Sequence, residues 1–76
     1  MIEWTELAKK KLKKLDPVVR KRILSSVSNL PHGDIKALSG PLKGYFRLRV
    51  GKWRVIFKKF GKNFIIVDIR HRESAY

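Results

Sequence analysis

Apolar residues recur at helical spacing near the start of the chain. After a very short predicted strand at residues 1–4, they follow one another at intervals of four, four and three residues. That spacing puts one apolar face on a helix that runs to Leu15, with Thr5 as its N-cap. The apolar face consists of Trp4, Ala8, Leu12 and Leu15.

A second helix is predicted directly after the first. Asp16 and Pro17 read as an N-cap followed by proline at the first helical position, and the helix ends before Pro31. The two helices are joined almost without a loop, so they form a helical hairpin whose apolar faces need a common cover, most simply a sheet. The apolar positions of the second helix are Val19, Ile23, Val27 and Leu30.

The segment YFRLRVGKWRVIF, residues 45–57, alternates apolar and basic residues on both sides of Gly51-Lys52. A two-residue turn there predicts a β-hairpin with apolar residues on one face and arginines on the other. Like charges opposite one another destabilise a sheet, so facing arginines indicate an anion-binding surface. The predicted pairs are Val50 with Trp53, Arg49 with Arg54, Leu48 with Val55, Arg47 with Ile56, and Phe46 with Phe57.

A third strand of the meander is predicted at residues 64–70, after a three-residue turn at 61–63. Its expected partners are Val67 beside Phe57, Ile69 beside Val55, and Arg70 beside Arg54. Residues 31–44 contain prolines and glycines and are predicted to be a connecting loop, with a possible helical turn near Ala37. The expected fold is α+β: a short strand, a helical hairpin, and a three-stranded antiparallel meander with both helices on one face.

Composition and charge limit the classes of protein to which this chain can belong. The 76 residues allow one domain, residues 1–76, and 19 Lys and Arg against 6 Asp and Glu give a net charge of +13. Such a charge favours nucleic acid or an acidic protein as partner, while 43% hydrophobic residues indicate a folded domain. The absence of cysteine excludes disulfides and thiolate metal sites. No leader or membrane segment is predicted, so we expect a cytoplasmic protein without a membrane partner.

Three segments in this order resemble the RelE/ParE toxin superfamily of toxin–antitoxin systems. They are KKLKKLDPVVRKRI in the helical hairpin, RLRVGKWRVIF in the β-hairpin, and the ending HRESAY. The last two resemble the superfamily patterns R-x-R-x-G-x-[YW]-R-x-x-[YF] and H-R-x-x-x-Y, and the likeness covers nearly the whole chain.

The resemblance implies a type II toxin, and the basic face favours the RelE-like branch, whose members are ribosome-dependent endoribonucleases that cut messenger RNA. The expected partners are then messenger RNA, the ribosome and a cognate acidic antitoxin, with no cofactor. Two alternatives stay open: a ParE-like inhibitor of DNA gyrase, and a non-catalytic protein that binds RNA or the ribosome.

Metal-independent cleavage of RNA needs a base for the 2′-hydroxyl proton, cations for the developing phosphate charge, and an acid for the leaving oxygen. Arg47, Arg49 and Arg54 are predicted to bind the phosphate. The resemblance places Arg54 and Arg72 nearest the cut and makes Tyr76 the base or a stacking platform. The predicted catalytic residues are therefore Arg47, Arg49, Arg54, Arg72 and Tyr76, with His71 as the other acid–base candidate, although the register turns His71 toward the core.

Overall fold

The computed structural model describes residues 1–74 and confirms the α+β class. The helices and strands are β1 (Ile2–Trp4), α1 (Glu6–Lys14), α2 (Pro17–Ser28), β2 (Asp34–Ala37), β3 (Phe46–Val50), β4 (Trp53–Phe60) and β5 (Asn63–His71). The strands form one sheet in the order β1-β5-β4-β3-β2. β1 runs parallel to β5, and the other neighbours are antiparallel.

Both helices begin where the sequence predicts. The Thr5 hydroxyl accepts a hydrogen bond from the Ala8 amide at 3.2 Å, and Asp16 Oδ1 accepts one from the Val18 amide at 2.9 Å. Each of these side chains satisfies a backbone donor that the first helical turn leaves free. α1 and α2 are thus separate helices joined by Leu15 and Asp16.

The prediction of a loop at residues 31–44 was wrong in part. Asp34–Ala37 forms the edge strand β2, paired antiparallel with β3, and a turn of 3₁₀ helix follows at Gly40–Leu42 rather than near Ala37. The sequence DIKA has one strongly apolar residue, Ile35, so alternation gives little signal. The strand exists because the neighbouring β3 offers its free edge, which is a tertiary effect.

The β3–β4 hairpin has the predicted register. All five predicted pairs are present, including Arg49 opposite Arg54 and Leu48 opposite Val55. Gly51 has φ of +60° in the two-residue turn, a left-handed conformation that glycine adopts without a steric penalty. The hairpin therefore separates the two faces as its alternation predicts.

The register of β4 with β5 was predicted correctly on one side of a β-bulge and wrongly on the other. Ile69 pairs with Val55 and Arg70 with Arg54, as expected, but Phe57 pairs with Ile66 instead of Val67. The turn has two residues, since Phe60 pairs with Asn63, and the bulge at Val67 restores the expected register beyond it. Positions 64–67 are four consecutive apolar residues, so the alternation of apolar and polar residues could not indicate the register there.

The core lies between the helices and one face of the sheet. Val55, Phe57 and Ile66 are at most 1% exposed there and pack against residues of α1 and α2 such as Ala8 and Ile23. The opposite face of the sheet is not covered by α1 or α2, and we call it the open face. No helix within residues 1–74 has the length and apolar character needed to cross a membrane.

Candidate functional site

Basic side chains form two adjacent rows across the open face. Arg49, Arg54 and Arg70 are directly opposite one another on β3, β4 and β5. In the next row, Lys36 pairs with Arg47 across β2 and β3. The sequence predicted the first row, whereas Lys36 was missed because its strand was expected to be a loop.

The open-face cavity lies above these rows and has a volume of about 730 Å³. One side is cationic, and the other is formed by the segment that follows β2. Since that segment was predicted to be a connecting loop with a helical turn near Ala37, the sequence pattern offered no reason to place it over the arginines. The cavity is lined by Lys36, Ala37, Leu38, Ser39, Pro41, Leu42, Arg47, Arg54 and Arg70.

Arg54 is held by backbone carbonyl groups rather than by a carboxylate. Its Nη1 donates to the carbonyl oxygens of Gly51 at 2.9 Å and Trp53 at 3.0 Å. Arg47 has a long ion pair of 3.7 Å to the exposed Asp34. Both guanidinium groups therefore keep donors for a ligand, and the positive charge of Arg54 is not neutralised by a salt bridge within the described residues.

Asp68 orients Arg70 in the same cavity. Its Oδ2 accepts from Arg70 Nε at 2.8 Å, while Oδ1 accepts from Lys11 Nζ at 2.6 Å and from the Ile69 amide at 2.8 Å. Because Arg70 uses Nε for Asp68, its two terminal amino groups stay available to an anion. Lys11 shares the negative charge of Asp68, so the positive charge of Arg70 is not fully compensated.

The pKa of Asp68 reflects the same contacts. Burial by itself raises this pKa, but the hydrogen bonds from Lys11, Arg70 and the Ile69 amide outweigh burial and bring the pKa below its ordinary value of 3.8. The ionised form of Asp68 therefore stabilises the fold at neutral pH, and this contribution disappears as the pH falls through the lowered pKa.

We expect the substitution Asp68→Asn to lower the free energy of unfolding by about 1–3 kcal/mol at pH 7, because charged hydrogen bonds are lost. Below pH 3.8 the difference should shrink, since protonation removes the same charge from the unsubstituted protein. Urea unfolding of both proteins at several pH values measures this. A difference that stays constant with pH would contradict the role given to the charge.

A second basic cluster surrounds the β3–β4 turn, and we call its cavity, of about 460 Å³, the turn cavity. Arg49 and Arg72 line it together with Arg22 of α2, whose Nη2 would lie 3.3 Å from a Cβ added to Gly51. The sequence pattern did not predict that residues of α2 would line this cavity. Its lining residues are Val19, Arg22, Arg49, Val50, Gly51, Lys52, Trp53 and Arg72.

The structure describes five of the six predicted catalytic residues, and these five lie at three different places. Arg47 and Arg54 line the open-face cavity, and Arg49 and Arg72 line the turn cavity. His71 stands opposite Trp53, and their rings meet edge-on at 5.1 Å, which confirms that His71 turns toward the helix-covered face.

Tyr76 lies outside the described residues. Within residues 1–74, no three His, Asp or Glu side chains are grouped so that they could hold a metal ion. The cationic groups that line the open-face cavity are the guanidinium groups of three arginines and the ammonium group of Lys36, all of which can donate hydrogen bonds to an anion.

Comparison with known proteins identifies similar chains. Residues 2–76 match the family model described as ParE toxin of the type II toxin–antitoxin system parDE. A sequence comparison with curated proteins gave no match.

Three solved structures show the same fold. The toxin–antitoxin complex RelBE2 from Mycobacterium tuberculosis matches with 24% identity and a TM-score of 0.82, covering 95% of this chain and 96% of that one. The RelB–RelE antitoxin–toxin complex from Methanococcus jannaschii matches with 29% identity and a TM-score of 0.77, covering 95% and 92%. YafQ from E. coli matches with 20% identity and a TM-score of 0.69, covering 97% and 94%.

Proposed function

The chain belongs to the ParE toxin family of type II toxin–antitoxin systems, within the RelE/ParE superfamily, and on this basis we propose that it is a ribosome-dependent endoribonuclease that cuts messenger RNA. The observation that carries the proposal is the convergence of Arg47, Arg54 and Arg70 on one cavity of the open face. Three guanidinium groups around one space suit a phosphate, which accepts forked hydrogen bonds from arginine.

Arg54 is the residue that we assign to the scissile phosphate. It lines the open-face cavity and also donates to the Gly51 carbonyl, and Gly51 lines the turn cavity. A strand of RNA that passes over Arg54 would contact Arg47 and Arg70 in the open-face cavity. Arg49 and Arg72, which line the turn cavity, would bind the flanking backbone.

The proposed reaction is attack of a 2′-hydroxyl on the neighbouring phosphorus, without a metal ion. The new bond joins the 2′-oxygen to phosphorus, and the bond from phosphorus to the 5′-oxygen breaks. We assign Tyr76 as the base that takes the 2′-hydroxyl proton, because the ring of His71, the other acid–base candidate, meets Trp53 on the helix-covered face. The arginines stabilise the charge of the phosphorane. The 5′-oxygen takes a proton from solvent water, which completes the cut and leaves a 2′,3′-cyclic phosphate and a 5′-hydroxyl.

A cognate acidic antitoxin is the expected regulator. Two of the similar structures are complexes of a toxin with its antitoxin. The net charge of +13 would attract an acidic segment, and such a segment would cover the arginines that RNA needs.

A gyrase inhibitor is the second candidate, because the matching family model is the ParE one. Induction of the gene separates the two functions. The RNA proposal predicts transcripts cut within coding regions, as mapped by primer extension, and no DNA damage response. Intact transcripts together with a DNA damage response would favour the gyrase inhibitor and contradict the proposal.

A further inference from the structure

The open-face cavity has an ordered apolar wall opposite its arginines. The wall is the segment Leu38–Leu42, of which the apolar residues Leu38, Pro41 and Leu42 line the cavity. Leu38 and Leu42 are half-buried, so both are partly fixed by packing and partly available to a ligand.

Backbone hydrogen bonds hold this wall in place. The Leu38 amide donates to the Tyr45 carbonyl at 3.0 Å, and the Tyr45 amide donates to the Leu42 carbonyl at 3.0 Å. Within the wall, the Leu42 amide donates to the Ser39 carbonyl at 3.3 Å. The segment is thus fastened at both ends, and a ligand need not order it on binding.

A phosphate alone would use only the cationic side of this cavity. The volume of about 730 Å³ lies within the range of roughly 300–1,000 Å³ that is typical of sites for small organic ligands. A ligand that fits both sides combines an anionic group with a flat apolar body. A nucleotide has this combination, because its phosphate is charged and the faces of its base are apolar.

We propose that the open-face cavity binds one unstacked nucleotide, with its phosphate on Arg47, Arg54 and Arg70 and its base against the apolar wall. The inference rests on the proposed function and adds to it that the base is held, as well as the backbone. Lys36 and Ser39 also line the cavity and offer polar contacts to the sugar or to the edge of the base.

An acidic peptide is the competing ligand for the same charges. Carboxylates on a flexible chain would pair with the arginines, but they would leave Leu38 and Leu42 exposed to water. The nucleotide is favoured because it covers both sides of the cavity with one rigid group.

A ligand series on the unaltered protein tests the proposal. The probes are adenosine 5′-monophosphate, ribose 5-phosphate, inorganic phosphate and a short acidic peptide without aromatic residues, each titrated while backbone amide resonances are followed by NMR. Adenosine 5′-monophosphate should bind about tenfold tighter than ribose 5-phosphate, since the base removes apolar surface from water. It alone should shift the amides of Leu38 and Leu42.

Equal affinities for adenosine 5′-monophosphate and ribose 5-phosphate would overturn the proposal. Shifts confined to residues of the turn cavity would also overturn it, and so would an acidic peptide that shifts the amides of Leu38 and Leu42 while adenosine 5′-monophosphate does not.

Variants of the wall give an independent check. Leu42→Ser should remove most of the tenfold preference for the base and leave the affinity for ribose 5-phosphate unchanged. The matched control is Leu24→Ser, at a leucine of α2 that is 43% exposed and lies outside the cavity. The preference for the base should persist in this control. If it persists in Leu42→Ser as well, the base does not pack against the apolar wall.

The outcomes distinguish this inference from the proposed function. A protein that binds the nucleotide as described but never cuts RNA refutes the nuclease and leaves the nucleotide site. A protein that cuts messenger RNA without any preference for a base over a bare sugar phosphate refutes the nucleotide site and leaves the nuclease.

Discussion

Arg54→Ala should lower the rate of cleavage of ribosome-bound messenger RNA by about 10²–10³-fold, the usual effect of removing one donor that stabilises a developing charge. The guanidinium of Arg54 is fixed by the carbonyls of Gly51 and Trp53, and within residues 1–74 it has no ion pair with a carboxylate. Arg54→Lys should have intermediate activity, because it keeps the charge and loses the forked geometry. Single-turnover cleavage of a labelled transcript on purified ribosomes measures the rate.

Lys59→Ala is the matched control for Arg54→Ala. Lys59 is an exposed cation of the same strand, β4, and lines neither the open-face cavity nor the turn cavity. The control loses the same unit of charge, so it should cut at nearly the unsubstituted rate. If Arg54→Ala and Lys59→Ala cleave equally well, Arg54 does not act on the scissile phosphate.

Phe57→Ala should lower the free energy of unfolding by about 3–5 kcal/mol, the usual cost of removing a buried aromatic ring. Phe57 is 1% exposed, and its ring contacts Phe46 at 5.6 Å and Phe64 at 5.9 Å between centroids. A domain of this size has a small margin of stability, so the variant would be largely unfolded at moderate urea concentrations. Urea unfolding followed by circular dichroism measures the change.

The same strand supplies a control for Phe57→Ala. Phe60 is 72% exposed, so Phe60→Ala should change the free energy of unfolding by less than about 0.5 kcal/mol. Phe57→Leu, which keeps part of the buried volume, should fall between the two alanine variants. Comparable losses for Phe57→Ala and Phe60→Ala would show that the core is not where the structure puts it.

The sequence was sufficient to predict the fold wherever a local pattern determined the structure. The caps at Thr5 and Asp16 and the turn at Gly51-Lys52 are local signals, and each was confirmed. The pairing of Arg49 with Arg54 followed from turn length alone. Because side chains in a strand alternate between faces, that register also separated the arginines from the core.

The features that the sequence missed depend on contacts between distant segments. β2 forms on the free edge of β3, and the bulge at Val67 is held by Thr5, whose hydroxyl donates to the Val67 carbonyl at 3.2 Å. Neither contact is visible in a window of a few residues.

In the candidate site, too, local patterns were predicted and contacts between distant segments were missed. Arginines of neighbouring strands could be grouped from the predicted register, and the structure keeps Arg54 beside Arg70. The sequence could not show that a side chain of α1, Lys11, reaches Asp68, or that residues after β2 form a wall over the arginines. It also could not divide the arginines between two cavities, because that division depends on how α2 packs beside the turn.

The chemical nature of the RNA ends is the most direct test of the central claim that this protein cuts messenger RNA by attack of the 2′-hydroxyl at the arginines of the open face. A defined transcript is incubated with purified ribosomes and protein, and the fragments are analysed by mass spectrometry. We predict a cut within the transcript that leaves a 2′,3′-cyclic phosphate and a 5′-hydroxyl. An intact transcript, or fragments with a 5′-phosphate, would contradict the account.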